Sequence, residues 1–282
     1  MANMLLINRR INTAKNVSKT TRALQMISTS KLKRAQNAAL SSREYVEKLT
    51  MLVMNLSSKV EKENRHPYMH SIAPKDKDLF IIIAPDKGLC GGLVSNLIRT
   101  VYAVDKESPF YIVVGKKAEK SVAKIGEVVA SFQFGTTLPT FDMVFPIAKI
   151  IDEYYLSGKV SRVKIVFSHF NNVFTQTPTV HNILPVKMET EEKSTDKYSL
   201  FEPKIEKMLP DLLKHYLEMV LYQNLLENFA SEQGARMVSM KSATDNANEI
   251  ISYLKLEYNK LRQEKITNEI LDIGSAAFIS HE

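Results

Sequence analysis

Apolar and small residues recur at alternating intervals of three and four along the early part of the chain: Leu32, Ala35, Ala39, Ser42, Val46, Leu49, Val53, Leu56 and Val60. That is the period of a left-handed coiled coil, and it predicts one long helix that Pro67 must end. Toward the N-terminus the seam thins to Ile11, Ala14, Val17, Leu24 and Ile27, with many hydroxyl residues between them. A second seam of the same period, Met237, Met240, Thr244, Ala247, Ile251, Leu254, Tyr258 and Leu261, predicts a last helix that starts at Pro210. At 1.5 Å per residue these helices would reach roughly 80 Å and roughly 100 Å. Neither is stable alone in water with one apolar stripe exposed. The chain must return from the segment between them, so the economical solution pairs them antiparallel.

The middle reads differently. Leu79–Ala84, Phe110–Val114 and Val163–Phe167 are short runs rich in β-branched residues, as buried parallel strands are. Gly92–Val104, Lys116–Ile125 and Phe145–Leu156 read as helices, which makes an α/β layered sheet. Val180–Val186 reads as a further strand, at an edge because of Pro185, and Glu189–Lys197 as a polar linker. Proline and glycine support the division. All ten prolines lie between Pro67 and Pro210, and the first 66 residues hold neither proline nor glycine. The expected organisation is an N-terminal helix over 1–66, an α/β domain over 67–205 and a C-terminal helix over 206–282.

Composition changes this picture in one respect. The 282 residues carry a net charge of +7, yet residues 1–43 hold nine basic side chains and no acidic one, which leaves the remainder at −2. The nine are Arg9, Arg10, Lys15, Lys19, Arg22, Lys31, Lys33, Arg34 and Arg43. A basic segment of this kind meets a nucleic acid, an anionic membrane or an acidic protein surface, and composition does not choose among them. No long uncharged apolar run predicts a membrane span, and no signal peptide is expected. With Cys90 as the sole cysteine, an intrachain disulfide or a multi-cysteine zinc site is excluded.

Candidate chemistry is sparse. Pro85-Asp86-Lys87-Gly88-Leu89-Cys90-Gly91-Gly92 follows the first strand and invites a phosphate-loop reading. Its G-x-x-G-G spacing fits neither the Walker pattern nor the dinucleotide fingerprint. The plainer reading is a tight turn into a helix. Cys90 could act as a nucleophile near a helix N-terminus, but no partner is adjacent in sequence. The six histidines form no metal-binding spacing, so neither a metal nor a cofactor is expected. Polar groups on the terminal helices stand out instead. Arg22, Lys31, Lys33 and Arg34 are expected to be brought close to Arg262, Gln263, Thr267 and Glu269 by the antiparallel pairing. They would form either a solvated face or a partner surface.

Five blocks make the sequence similar to the gamma subunits of F-type ATP synthases. Ile11–Gln36 resembles the family's N-terminal signature and APDKGLCGGL (Ala84–Leu93) its central loop. QTPTV (Gln176–Val180), LLENFASEQGARMVSMKSATDNA (Leu225–Ala247) and LEYNKLRQEKITNEILDI (Leu256–Ile273) resemble its later blocks. The resemblance spans nearly the whole chain, with the blocks in the family's order. It implies a rotor whose paired helices turn inside a ring of three alpha and three beta subunits, one gamma per complex. It places the α/β domain against the epsilon subunit and the membrane c ring, on the cytoplasmic face of a bacterial inner membrane. Catalysis would lie on beta, not on this chain. Among its positions, Arg262, Gln263, Thr267 and Glu269 match polar residues that grip a beta loop. Leu24 and Arg34 lie in the block facing an acidic lever of beta, and Lys87, Gly88, Cys90, Gly91 and Gly92 in the loop that approaches the ring base. Three features depart from the family: Leu24-Gln25 stands where Met-Glu is common, Gly234 where alanine is usual, and Ile273–Phe278 ends atypically. Gly234 is expected to soften the last helix by about 1 kcal/mol. The regulatory cysteine pair of chloroplast members is absent. The rival readings are a basic coiled coil that binds nucleic acid and a nucleotide-dependent α/β enzyme.

Overall fold

The computed structural model describes residues 2–60, 63, 65–71, 77–104, 109–186 and 204–279, with the side chains of 2, 3 and 272–279 left aside. The stretch Glu189–Lys197, read above as a linker, lies outside the described residues. The chain opens with helix α1 (Ala2–Ser58) and closes with helix α5 (Ile205–Ile279). α5 does not start at Pro210, as the sequence suggests, but a turn earlier, with the proline inside it. Proline removes only one backbone bond near a helix end, and the added turn carries Leu209 into a buried position. By compactness the residues form two units: 1–27 with 237–282, and 28–236.

In the first unit α1 and α5 pair antiparallel. Ser18 Oγ donates to Asn248 Oδ1 at 2.8 Å, and the Thr21 and Thr244 hydroxyls lie 2.6 Å apart. Ile7 and Ile11 pack with Leu254, Tyr258 and Leu261. The seam on α5 is the expected one, with Met240, Thr244, Ala247 and Leu254 buried. The seam on α1 is not. Val17 and Ile27 are exposed, while Thr21 is buried with Ser18 beside it. Positions 7, 11, 14, 18 and 21 hold the three-four phase, and hydroxyls stand where an apolar side chain was sought. Each hydroxyl also lies near its own helix, Thr21 Oγ1 3.1 Å from the Val17 carbonyl and Thr244 Oγ1 2.8 Å from that of Met240; with two protons for three contacts, one hydroxyl donates across the pair and the other to its own helix. Breaking the pair from one side therefore removes one modest bond. We expect Thr244→Val to lower stability by about 1 kcal/mol, and the Thr21→Val/Thr244→Val double variant to lie closer to wild type than the two single losses added together. Urea unfolding of the four variants measures this.

The second unit is built on five strands: β1 (Asp78–Ile83), β2 (Phe110–Val114), β3 (Glu127–Phe132), β4 (Arg162–Phe170) and β5 (Gln176–Leu184). Their order is β3-β2-β1-β4-β5, parallel except for β4 with β5. Helices α2 (Leu93–Val104), α3 (Lys116–Val122) and α4 (Val144–Leu156) make the crossovers. β1 is buried from Leu79 to Ile83, as a central strand covered on both faces must be. One face packs Phe80, Ile82 and Tyr111 against Leu97, Val101, Ala118 and Val122 of α2 and α3. The edge strand β3 adds to the strands that the sequence predicts; its half-buried residues give no clear alternation. β5 is an edge strand as expected, but it starts at Gln176 and ends before Pro185. The later part of the α1 seam, Leu32, Ala35, Ala39, Leu49, Val53 and Leu56, is buried in this unit as read.

Candidate functional site

In a sheet of order 3-2-1-4 the strand order reverses at β1, and the crevice beyond the carboxyl ends of β1 and β4 is where doubly wound folds take ligands. Here α5 lies against that edge. Asn228 Oδ1 accepts from the Ser168 amide at 3.1 Å, and Ser231 Oγ donates to the Ser168 carbonyl at 2.7 Å. The loop after β1 meets α5 one turn on, where Cys90 and Leu93 pack against Ala235. The Arg236 guanidinium donates to the carbonyls of Lys87 at 3.1 Å and Gly88 at 3.3 Å. A phosphate cradle presents amide N–H groups to its ligand. This loop turns carbonyls toward a cation, the opposite polarity.

The loop is anchored at its other flank as well. Asp86 accepts from the Lys116 amide at 2.9 Å and the Gly135 amide at 2.7 Å, tying the loop to the turns after β2 and β3. Between the anchors Leu89 adopts φ 66° and is 64% exposed, while Gly91 adopts φ 58°. Lys87, Gly91 and Gly92 are exposed and Cys90 is buried. Burial pushes the Cys90 thiol up, away from the reactive thiolate, and the nearby Arg236 only partly offsets this.

α5 from Gln223 to Ala235 is buried on all sides, although half of its residues are polar. Glu227 is the centre. It accepts from Arg43 of α1 at 2.9 Å and from Gln223 at 3.0 Å, and contacts His169 Nδ1 of β4 at 2.5 Å. Burial opposes its ionisation, but the Gln223 and Arg43 bonds with the His169 charge outweigh it and hold the carboxyl below its ordinary range. Glu232 goes the other way. Burial raises it more than its 2.7 Å ion pair with Arg236 lowers it. α5 runs through Gly234 without a break. A Cβ there would meet the Phe170 ring at 3.1 Å, so the missing side chain lets the end of β4 approach the helix.

Within the first unit Arg22 is not brought to the C-terminal polar cluster. In the first unit's register Arg22 lies level with about residue 243, so Arg262 is about 19 residues, or ~28 Å, further along α5. Lys31, Lys33 and Arg34 belong to the second unit. From Arg262 to Leu271 every α5 residue is exposed. Arg262 and Glu269 are seven apart and share one strip, with Glu269 held 3.3 Å from Lys265. Gln263 and Thr267 share the next strip, beside a shallow open depression of about 390 Å³ lined by Lys260, Glu264 and Asn268 as well. Leu24 is half-buried on α1 and Arg34 exposed. Of the nine basic residues, Arg43 is spent on Glu227 and Lys31 donates to the Thr136 carbonyl at 2.5 Å. The other seven are exposed.

Sequence reasoning missed Arg236, Glu232, Glu227 and Asp86. A signal for the first three existed: Glu227, Asn228, Ser231, Glu232 and Gln233 interrupt the apolar stripe of a long helix just where a solvated face cannot explain them. Among the described residues no three His, Cys, Asp or Glu side chains gather closely enough to hold a metal ion, and no helix is long and apolar enough to cross a membrane.

Fold and site together define the class: a protein of two long helices that pair antiparallel, with a doubly wound α/β domain between them whose ligand crevice is taken by its own last helix. The comparisons make this specific. Residues 3–278 match the ATP synthase family. The ATP synthase gamma chain of Dehalococcoides mccartyi strain BAV1 is 38% identical over 99% of this chain and all of its own length. That of Psychrobacter cryohalolentis is 36% identical over 99% of this chain and all of its own. Among solved structures, a chain of the Euglena gracilis mitochondrial ATP synthase OSCP/F1/c-ring assembly superposes with TM-score 0.70 at 18% identity, covering 99% of this chain and 95% of that one. A chain of the Tetrahymena thermophila central stalk/c-ring structure gives TM-score 0.61, covering 79% and 99%. The protein belongs to the ATP synthase gamma-chain family.

Proposed function

We propose that this chain is the rotor of an F-type ATP synthase: the central stalk that couples ion flow through the membrane c ring to ATP synthesis or hydrolysis on the beta subunits. The end-to-end match to gamma chains carries this reading. Its partners are three alpha and three beta subunits, epsilon and the c ring, one gamma per complex. The chain itself is non-catalytic, and it sits peripherally on the cytoplasmic face of a bacterial inner membrane. Residues 1–66 and 206–282 act as the shaft and 67–205 as the domain outside the ring.

The mechanism needs a body that meets three equivalent partners in turn without locking to one. Exposed polar groups on a stiff helix suit that, because each charge-assisted bond is worth roughly 1.5–3 kcal/mol and can be exchanged for water. Arg262, Gln263, Thr267 and Glu269 are the proposed grip on a beta loop. Leu24, Arg34 and Lys87 are the proposed contacts with the ring's acidic lever and base. Replacing Arg262, Gln263 and Glu269 together by Ala should lower coupled ATP synthesis severalfold, about 1 kcal/mol in barrier, without unfolding the subunit, since all three are exposed. Unchanged synthesis in reconstituted vesicles would refute the assignment.

A further inference from the structure

Besides the packing of Cys90 and Leu93 on Ala235, the loop after β1 is held to α5 by the hydrogen bonds of one side chain. All three nitrogens of Arg236 are engaged: Nη1 on Glu232 at 2.7 Å, Nη2 on the Lys87 carbonyl at 3.1 Å and the Gly88 carbonyl at 3.3 Å, and Nε on the Gly88 carbonyl at 3.3 Å. A planar fork bridging a carboxylate and two successive carbonyls is a geometry that only arginine supplies. Glu232, 2% exposed, aims the fork, and its Oε2 has no hydrogen-bond partner among the described residues. Past the clamp the backbone turns through Leu89, a non-glycine residue in the left-handed region whose side chain points into solvent. Such a conformation persists only where the surroundings impose it. Asp86 on one flank and Arg236 on the other impose it here.

We propose that Arg236, aimed by Glu232, is a positioning residue that makes the Lys87–Gly92 loop one rigid body with α5. The loop then turns with the helix and presents Leu89 and Lys87 in a preset geometry to the ring. This rests on the rotor reading. Without the clamp the loop keeps Asp86 and the packing of Cys90 and Leu93 on Ala235 but loses its hydrogen bonds to α5, and it yields locally when pushed instead of transmitting force.

The sole cysteine offers a direct readout. Cys90 is 2% exposed beneath the loop, packed on Leu93 and Ala235. In the whole membrane complex reconstituted in vesicles, maleimide labelling of this chain is timed beside ATP-driven ion pumping per ATP hydrolysed. Arg236→Ala should speed Cys90 labelling by about tenfold or more through local opening, and lower the pumping ratio severalfold. Removing the guanidinium charge by itself raises the thiol pKa and slows labelling, so faster labelling reports the opening. Arg236→Lys, which places a point charge where the fork was, should fall between wild type and Ala in both readouts. It also serves if the Ala variant fails to assemble. Unchanged labelling, or faster labelling with the pumping ratio intact, overturns the proposal. A wild-type complex that hydrolyses ATP without pumping would break the rotor reading instead, while the labelling ratio still decides whether Arg236 holds the loop.

Discussion

Gly115→Ala leaves little folded chain. Gly115 ends β2 with φ 106° and opens α3; its amide donates to the Phe132 carbonyl at 2.8 Å, and the preceding Val114 carbonyl accepts from Ala84 at 2.8 Å. A Cβ at this position would sit 1.8 Å from the Ala84 carbonyl oxygen, which is backbone of the central strand. No rotamer change relieves that clash. The chain must move β1 away from β2 or abandon the positive φ, and either breaks ladder bonds at the sheet's carboxyl edge, where the loop and α5 meet. Backbone strain of about 1–3 kcal/mol adds to lost bonds of about 1 kcal/mol each, so the expected loss is about 4 kcal/mol or more. Gly135→Ala is the control. Its φ is also positive, at 82°, but nothing lies within 4 Å of the added carbon, and about 1 kcal/mol is expected. Soluble yield and urea midpoints of the two variants separate a steric origin from a conformational one. Similar losses in both would remove the steric argument.

Glu227→Gln has the second large effect, and its size depends on pH. The folded carboxyl is held below its ordinary value, so its ionised form stabilises the fold above the unfolded value near 4.5. That contribution is lost as pH falls through the lower folded value. At neutral pH the substitution leaves Arg43 and His169 facing a neutral amide, at a cost of about 2–4 kcal/mol. The gap between variant and wild type should then narrow as the medium is acidified below pH 4.5. Urea unfolding at several pH values tests it, and a gap that widens on acidification would have the sign wrong. Arg43→Met should weaken the same network by less, because the Arg43 side chain is 40% exposed and its charge is largely screened by water.

Those two sites mark the boundary of what the sequence tells. Strands such as Ile81–Ile83 and the α1 seam from Leu32 onward are legible because burial on a fixed period leaves a chemical trace. Thr21 and Ser18 are not, because a hydroxyl bonded to its own helix or, like that of Ser18, to a polar partner across the seam can occupy a seam without being apolar. β3 is missed because an edge strand needs no clean alternation. The Glu227 and Arg236 networks depend on partners more than 50 residues away in the chain, which spacing cannot reveal. The basic first helix has a similar lesson. Arg43 and Lys31 are engaged with specific acceptors, so the charge left unengaged in this segment is carried by the seven exposed residues. Gly234, read in sequence as a weak point, is a place of close approach.

Rotation of this chain inside the ring is the property on which its function rests. It is tested by assembling the chain with alpha and beta subunits, fixing the ring to a surface, attaching a bead to the α/β domain and adding ATP. Stepwise rotation in one direction, at a rate set by ATP, is expected. A complex that hydrolyses ATP while the bead stays still, or a chain that does not enter the complex, would contradict it.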